Sequence, residues 1–433
     1  MLPQCLRKDH NSAIITFDVI FAGGGLVFIK RHAGETVTKL AEMFGAVLVT
    51  GARQVGKTTL LREMTRQISY ITLDDPVQLA VARDSGRTFL NQNPPPVFID
   101  EIQYAPTLFP YIKMILDSER KKGQFFLAGS QQFSMMKNVS ESLAGRLGIL
   151  NLPSLSLREI KGVTYTEPFI PVEDYLRNRA EDTAEISYDD AWHACHRGFM
   201  PELWANPEYD WGLFYGSYIR TYIERDVRDL TQVGNELQFV RFMTAVAGRT
   251  GQLLNQASLA REVGISQPTA ERWLSILVAS NLVYLLPPYH NNIIKRAIKT
   301  PKLYFLDTGL AAYLTRWLNA DVLRSGAMAG AMFETFVVAE ILKSYSNKGI
   351  LDLPLYFYRD RDGREIDLLI AAGDHLHPIE IKSNADPNLR DISAFALLDK
   401  LPGVIRGSGG VVCLYDKLMT LPSGDAIIPV NML

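Results

Sequence analysis

The sequence predicts an α/β protein in which several structural units follow one another. An apolar strand, a glycine-rich loop and a helix occupy residues 46–64, an order typical of parallel sheets covered by helices. Two strand-like runs within residues 364–383 predict a second α/β unit. A chain of 433 residues also exceeds one compact core. The expected units are a poorly ordered leader (1–27), a parallel-sheet unit (28–160), a helical connector (161–235), a winged helix-turn-helix (236–300) and a second α/β unit (301–433).

The composition is that of a globular protein, with 47% apolar and 21% charged residues. The formal net charge of −2 excludes a global basic field, so any surface that binds nucleic acid must be local. The cysteines, Cys5, Cys195 and Cys413, are odd in number and lie far apart in the sequence. That pattern argues against a disulfide framework and for a reducing compartment, so we expect a cytoplasmic protein.

Residues 1–27 combine a weakly basic start with an apolar stretch, as a signal peptide or membrane anchor does. Asp18 interrupts that stretch, glycines weaken it, and it is shorter than the ~20 apolar residues that span a bilayer. We therefore expect no membrane contact. One interpretation of this leader is an upstream start added to a protein that begins near Leu26.

The strongest motif follows the apolar strand at residues 46–50. Residues 51–58 read Gly-Ala-Arg-Gln-Val-Gly-Lys-Thr, the complete phosphate-binding loop with a helix after it. Glycines let the backbone approach phosphate, and N–H groups at the helix start bind its negative charge. Lys57 is expected to reach the β- and γ-phosphates of ATP, and the Thr58 hydroxyl is expected to bind Mg²⁺.

An acidic strand end supplies the second half of this site. The apolar run "VFI" precedes Asp100, a predicted Mg²⁺ ligand, and Glu101, a predicted base for the attacking water. A plain alternative makes Glu101 a helix-start residue. Ser130 ends a later apolar strand and could sense the γ-phosphate; the strand order indicates an additional-strand ATPase. The residues expected to hold the nucleotide are Gly51, Ala52, Arg53, Gln54, Val55, Gly56, Lys57, Thr58, Thr59, Asp100 and Ser130.

Arginines could complete the site as an arginine finger, in cis or in trans. Arg146, in "SESLAGRLG", is the favoured candidate and is counted with the catalytic residues. Arg225 and Arg228 are alternatives, but their spacing from Asp229 and Glu224 also fits ion pairs on a helix surface. A finger supplied in trans would require a homo-oligomer, which the sequence leaves open.

Two short amphipathic helices meet near Gly264, with Ser266 as the expected N-cap of the second. The apolar strand and Pro-Pro turn that follow complete a winged helix-turn-helix pattern. DNA binding and a plain docking role fit this pattern equally well. Candidate DNA contacts are Gln267, Thr269 and Arg272 on the second helix, beside the acidic Glu271, and Lys295, Arg296, Lys299 and Lys302 in the acid-free stretch 295–302.

Taken together, these motifs resemble a family of prokaryotic AAA-type ATPases with a C-terminal domain of uncharacterised role. The resemblance runs from about Phe28 to the end and includes "GARQVGKTTLL", "ITLDDP", "VFIDEIQ", "LAGSQQF", "LYFLDTGLAAYL" and "REIDLL...PIEIKS". It implies ATP and Mg²⁺ as cofactors and a restriction-endonuclease-like fold, PD-(D/E)xK, for residues 301–433. It implies no particular substrate.

The C-terminal runs carry the elements of a metal-dependent nuclease. Asp367 lies in one strand, and Glu380 and Lys382, two residues apart, share a face of the next strand. Glu334 lies on a preceding helix. We expect Glu334, Asp367 and Glu380 to bind Mg²⁺ and Lys382 to assist the attacking water. A hairpin with solvated charges is the plain alternative.

Three functions compete at this point. The first is an ATP-driven enzyme that acts on DNA through the nuclease-like unit. The second is an ATP-dependent switch whose C-terminal unit is an inactive scaffold for a partner. The third is a regulator that hydrolyses ATP slowly and binds an operator through the winged helix. The carboxylate–lysine set favours the first, while activity itself does not follow from a fold.

Overall fold

The computed structural model describes residues 28–130, 143–222, 236–290, 300–388 and 390–433. None of the helices in those ranges has both the length and the apolar composition of a membrane span. Several residues singled out by the sequence lie outside the described residues: the leader 1–27, Arg225, Arg228, Lys295, Arg296 and Lys299.

A parallel sheet forms the centre of the N-terminal unit, with strand order β2-β3-β4-β1-β5. The acidic strand β3 lies beside β4, and β4 separates it from the loop strand β1, so the predicted additional-strand order is confirmed. Strands β1, β3 and β4 are buried along their whole length, as expected of central parallel strands covered on both faces. The strands are β1 (Ala46–Thr50), β2 (Ser69–Thr72), β3 (Val97–Asp100), β4 (Phe125–Ala128) and β5 (Leu147–Asn151).

Helices cover both faces of this sheet, because alternate residues of each strand point to opposite sides. Val47 and Val49 join the apolar cluster that contains residues of α1 and α2, whereas Ala46 and Leu48 join the cluster that contains residues of α4 and α5. Asp75 caps α3 by accepting a hydrogen bond from the Val77 amide at 2.8 Å. The helices are α1 (Ala33–Met43), α2 (Lys57–Met64), α3 (Pro76–Asp84), α4 (Gly86–Gln92) and α5 (Leu108–Glu119).

The described part of the predicted connector is largely helical. Its aromatic residues Trp192 and Tyr215 are buried in the apolar cluster that also contains Val47 and Val49 of β1. The connector therefore packs on the ATPase unit and adds to its core. Its helices, with the short one that precedes it, are α6 (Leu157–Ile160), α7 (Glu173–Glu181), α8 (Tyr188–Arg197), α9 (Pro201–Ala205) and α10 (Trp211–Tyr222).

A helix–turn–helix and a small antiparallel sheet follow, with strand order β6-β8-β7. Ser266 caps the second helix by accepting from the Thr269 amide at 3.3 Å, which confirms the predicted N-cap. Gly264 ends the first helix with a φ of 72°, a left-handed conformation that suits glycine. The DNA-binding role stays a prediction. The elements are α11 (Glu236–Ala247), β6 (Gln252–Leu253), α12 (Gln256–Val263), α13 (Gln267–Ala279), β7 (Val283–Leu286) and β8 (Lys302–Phe305).

The C-terminal unit is a mixed sheet with a long, almost entirely buried helix, α16. Strands β9, β10 and β11 are antiparallel, and β13 and β15 continue the sheet in parallel, in the order β14-β15-β13-β11-β10-β9. A restriction-endonuclease-like assignment of this sheet stays a prediction. The elements are α14 (Thr308–Leu314), α15 (Ala320–Ser325), α16 (Ala329–Asn347), β9 (Leu355–Arg359), β10 (Glu365–Ala372), β11 (His375–Ile381), β12 (Ile405–Arg406), β13 (Gly410–Cys413), β14 (Met419–Thr420) and β15 (Ala426–Pro429).

Candidate functional site

The phosphate-binding loop begins directly after β1 and ends where α2 begins at Lys57. Gly51 has a φ of 142°, and a Cβ at this position would lie 2.3 Å from the carbonyl oxygen of Leu152. Gly56 has a φ of 90° immediately before the helix. Both glycines are therefore required by the backbone, which supports the motif as a formed loop rather than a chance turn.

The Lys57 side chain lies over this loop and is almost fully buried. Its ammonium donates to the carbonyl oxygens of Ala52 at 2.7 Å and Gly51 at 3.1 Å. Arg53 and Gln54 belong to the loop itself, and Thr59 lies in the first turn of α2. The structure thus gathers the predicted loop residues at the carboxyl end of β1.

Thr58, at the start of α2, and Asp100, at the end of β3, lie side by side. The Thr58 hydroxyl donates to Asp100 Oδ2 at 2.8 Å, although 42 residues separate the two in the sequence. The Tyr70 hydroxyl donates to the same oxygen at 3.3 Å, and burial raises the pKa of Asp100. A hydroxyl and a carboxylate side by side fit Mg²⁺, which takes one or two carboxylates and completes its shell with water and phosphate.

Glu101 follows Asp100 in a left-handed conformation, with a φ of 55°. That turn ends β3 and begins a short 3-10 helix over Ile102–Tyr104. The Glu101 carboxylate accepts a hydrogen bond from the side-chain amide of Gln103. Burial raises the pKa of Glu101, a direction that suits a group that accepts a proton near neutral pH.

Ser130 lies two residues after the end of β4 and is buried. Because β4 lies between β1 and β3, Ser130 is at the same edge of the sheet as the loop and Asp100. Its position agrees with the predicted γ-phosphate contact, which stays a prediction.

Arg146 lies at the amino ends of the strands, at the opposite end of the sheet from the phosphate-binding loop. Its carbonyl oxygen accepts from the Ala46 amide at the start of β1, and its guanidinium pairs with Asp117. A five-residue strand spans roughly 16 Å, so the side chain is far from the loop at the other end of β1. The prediction of Arg146 as a finger in cis is therefore wrong, because the turn before β5 places it at the amino ends of the strands.

Arg31 is a site residue that sequence reasoning missed, because it precedes the motif by twenty residues of unremarkable sequence. Its guanidinium is buried and donates to the loop carbonyl of Val55 at 2.7 Å and to the carbonyl of Pro153 at 2.7 Å. It also forms an ion pair with Glu159 at 3.1 Å. Burial acts to raise the pKa of Glu159, but Arg31 and the surrounding donors hold it below its usual range.

Glu159 belongs to α6, and α6 is joined to the C-terminal helix α16. The Leu157 amide in the first turn of α6 donates to Glu340 Oε2 at 2.7 Å. Lys343 pairs with Glu340 at 2.7 Å and donates to the carbonyl of Leu155 at 2.8 Å. A buried, hydrogen-bonded connection thus runs from the phosphate-binding loop through Arg31 to α16.

The C-terminal candidates meet where β10 and β11 pair. Asp367 Oδ2 accepts from the Ile381 amide at 2.9 Å, next to Glu380. The Lys382 ammonium pairs with Glu380 Oε1 at 2.6 Å. Burial, together with the nearby Asp367, raises the pKa of Glu380 to about 7. The predicted proximity of Asp367, Glu380 and Lys382 therefore agrees with the structure.

Lys302 also belongs to this cluster, which the sequence did not predict. Its side chain is 4% exposed and lies 2.5 Å from Glu365, 2.9 Å from Glu334 and 4.0 Å from Asp367. The prediction that Lys302 neutralises DNA phosphates is wrong, because it is buried on β8. Among the described residues, no three His, Cys, Asp or Glu side chains are arranged to hold a metal ion. Glu334, Asp367 and Glu380 therefore do not form a three-carboxylate group of this kind, and their binding of Mg²⁺ stays a prediction.

Comparisons with known families divide the chain in three. Residues 44–161 match an AAA domain, residues 188–321 match a domain of unknown function (DUF8612), and residues 329–433 match another domain of unknown function (DUF4143). The AAA match covers β1 to α6, including the loop and the acidic strand.

Two curated relatives are uncharacterized proteins of Mycobacterium bovis and Mycobacterium tuberculosis. Each is 30% identical over 380 residues, which cover 86% of this chain and 77% of the relative. Similar solved structures include a Walker-type ATPase of Pyrococcus abyssi, with 16% identity and a TM-score of 0.42 over 65% of this chain and 94% of that one. RuvB of Thermotoga maritima has 15% identity and a TM-score of 0.28 over 59% and 86%. The chain therefore belongs to the family of these two mycobacterial proteins, and its N-terminal unit is an AAA-type P-loop ATPase domain.

Proposed function

We propose that the protein binds Mg²⁺–ATP at residues 51–59 and hydrolyses it. The observation that carries this proposal is the 2.8 Å contact between Thr58 and Asp100 beneath the loop. The contact brings together a helix-start hydroxyl and a strand-end carboxylate, the two protein ligands that a P-loop ATPase uses for its metal. The bound ion would neutralise phosphate charge and orient the phosphates.

The chain's own residues divide the chemistry between them. When ATP binds, the Lys57 ammonium leaves the loop carbonyl oxygens and donates to oxygens of the β- and γ-phosphates. Glu101 orients the attacking water and accepts its proton on a carboxylate oxygen, with Gln103 holding that carboxylate. Ser130 contacts the γ-phosphate from β4. Raised pKa values at Asp100 and Glu101 follow from their burial, and bound metal would favour the ionised form of Asp100.

Lys57→Ala tests nucleotide binding. Its loss removes the point charge on the β- and γ-phosphates, so ATP affinity measured by titration calorimetry should fall. Lys39→Ala is the matched control, because Lys39 is an exposed lysine of the same unit, on α1. Equal ATP affinity in Lys57→Ala and in wild type would contradict the assignment of the site.

We further propose that nucleotide state reaches the C-terminal unit through Arg31, Glu159 and Glu340. The support is geometric: one guanidinium contacts the loop and α6, and one α16 carboxylate contacts the first turn of α6. Rearrangement of the loop around phosphate would therefore act on α16. Hydrogen exchange over residues 329–347 should change on binding of a non-hydrolysable ATP analogue in wild type. The change should be smaller in Glu340→Gln; an equal change in both proteins would refute this route.

Two functions remain for the C-terminal unit. Convergence of Asp367, Glu380 and Lys382 supports a DNA-directed nuclease coupled to ATP. Lys302 among the carboxylates favours the second function, an ATP-dependent switch with a non-cleaving scaffold. Plasmid DNA incubated with Mg²⁺ or Mn²⁺, with and without ATP, separates them. Cleavage that is abolished in Asp367→Ala would establish the nuclease, and absence of cleavage would support the switch.

DNA remains a proposed partner of the helix–turn–helix. Gln267, Glu271 and Arg272 are exposed on α13, and the Gln267 side-chain amide donates to Glu271 at 3.1 Å. That helix alone is therefore not a basic surface. Of the four basic residues proposed for phosphate contact, Lys302 is buried, so the proposal rests on Lys295, Arg296 and Lys299.

A further inference from the structure

The Lys302 ammonium occupies the centre of the C-terminal carboxylate cluster. It donates to Glu334 Oε1 at 2.9 Å and contacts Glu365 Oε1 at 2.5 Å, with Asp367 Oδ1 at 4.0 Å. These carboxylates come from α16 and from β10, two different elements of the C-terminal unit. Lys302 comes from β8, in the small antiparallel sheet that precedes this unit. One ammonium thus lies among three carboxylates that would otherwise repel one another.

The position of Lys302 is fixed by the backbone around it. β8 is the central strand of its sheet and pairs Lys302 with both Leu253 and Leu286. Tyr304, two residues along the strand, shares the same face and donates its hydroxyl to Glu334 Oε1 at 2.6 Å. Glu334 Oε1 therefore accepts two hydrogen bonds from β8. The ammonium also lies 5.8 Å from the centre of the Phe357 ring, which closes one side.

The charges of the cluster depend on this cation. Burial raises the pKa of Glu334 and of Asp367, and the nearby Lys302 ammonium acts to lower both. Burial opposes the charged form of Lys302 as well, yet Glu334, Asp367 and Glu365 together raise its pKa well above the usual value. An ammonium that remains protonated is a permanent cation for this cluster.

We propose that Lys302 is the resident cation of the C-terminal carboxylate cluster and excludes a divalent metal from it. Mg²⁺ and Mn²⁺ would need the oxygens of Glu334 and Asp367 at about 2.0–2.2 Å in a near-octahedral shell. The ammonium already contacts Glu334, and its positive charge repels a second cation over a distance of a few ångströms. The cluster thus joins the strand β8 to α16 and β10 by charge, in place of a metal-dependent active site.

This proposal is independent of ATP hydrolysis, and the test avoids the nucleotide site. The full chain is prepared without nucleotide and with Asp100→Asn, so that this metal-ligand position of the nucleotide site offers no carboxylate. Mn²⁺ alone is the probe, followed by electron paramagnetic resonance of free Mn²⁺ and by thermal unfolding. The variants compared on this parent are Lys302→Met, Asp367→Asn, Lys302→Met with Asp367→Asn, and Lys343→Met.

The parent should bind no Mn²⁺ that depends on Asp367. Lys302→Met should be destabilised, should bind Mn²⁺ at least about tenfold more tightly than the parent, and should regain stability when Mn²⁺ is added. Asp367→Asn should abolish that gain. Lys343→Met is the matched control: it also removes a buried lysine from an ion pair, but Lys343 pairs with one carboxylate, Glu340, so Mn²⁺ should not restore its stability.

Two results would overturn the proposal. One is Mn²⁺ binding by the parent that disappears in Asp367→Asn. The other is a folded Lys302→Met that gains no Mn²⁺ affinity, because the carboxylates would then not surround a cation site. If Lys302→Met does not fold, the comparison of the parent with Asp367→Asn decides alone: absence of Asp367-dependent Mn²⁺ binding supports the proposal.

Discussion

The buried Arg31–Glu159 pair gives a prediction that depends on pH. Arg31→Met removes the ion pair, whose side chains are 4% and 0% exposed, and leaves the Glu159 carboxylate without its counter-charge. Removing one partner of such a pair costs about 3–5 kcal/mol. Arg31→Met also leaves the Val55 and Pro153 carbonyls without a donor that is 2.7 Å away in wild type. We expect a loss of stability in the upper part of that range at neutral pH.

The sign of the pH dependence follows from Glu159. Its pKa is lowered in the folded wild type, so the pair contributes stability above the pKa of an unfolded glutamate, and that contribution is lost as pH falls through the folded pKa. Without Arg31, burial acts on the carboxyl unopposed by this guanidinium and favours its protonated form. The difference in stability between wild type and Arg31→Met should therefore be largest at about pH 8 and shrink toward about pH 5.

Urea unfolding at both pH values measures this difference, and hydrogen exchange of residues 51–58 reports on the loop. Arg179→Met is the matched control, because the buried guanidinium of Arg179 donates to the backbone carbonyls of Asp182 and Asn431. The Arg179→Met substitution should lower the stability of the protein by the same amount at both pH values. An equal cost of Arg31→Met at about pH 5 and pH 8 would refute this prediction.

Two further predictions concern residues that the sequence proposed. Arg146→Ala should leave single-subunit ATP binding unchanged in calorimetry, since Arg146 lies at the amino ends of the strands; a loss of hydrolysis that depends on protein concentration would instead support a finger in trans. Neutralising Lys295, Arg296 and Lys299 together should weaken DNA binding. The slope of log affinity against log salt concentration should fall by about one unit for each phosphate that is no longer neutralised. An unchanged salt titration would favour the docking role.

The fold around the phosphate-binding motif could be predicted from the sequence because its determinants are local. Gly51 and Gly56 adopt backbone conformations that require glycine, and Asp100 is the last residue of β3, whose apolar run is typical of a buried strand. Parallel-sheet topology then brings Asp100 to Thr58, since the carboxyl ends of all parallel strands lie at the same end of the sheet. The strand order alone is therefore enough to predict that Thr58 and Asp100 lie close together.

Long-range contacts explain what the sequence did not predict. Arg31 and Lys302 carry no motif, and their partners Glu159 and Glu334 are 128 and 32 residues away. Lys302 follows three basic residues in an acid-free stretch, which favoured a solvated surface. Lys302 instead lies on β8, a strand that is buried at all four positions, and only the packing of α16 against that strand shows which carboxylates it meets. The prediction for Arg146 failed because β5 begins directly after it, and the direction of that strand decides at which end of the sheet Arg146 lies.

The most direct test of ATP hydrolysis is single-turnover hydrolysis by Glu101→Gln at saturating Mg²⁺–ATP. Glutamine keeps the shape of the side chain and its contact with Gln103 but cannot accept a proton, so ATP affinity should remain near that of wild type. The rate should fall by about 10²–10⁴, the range that a general base contributes. Glu42→Gln, an exposed position on α1, should hydrolyse as wild type does. A Glu101→Gln rate equal to that of wild type would contradict both the assigned base and the proposed hydrolytic site.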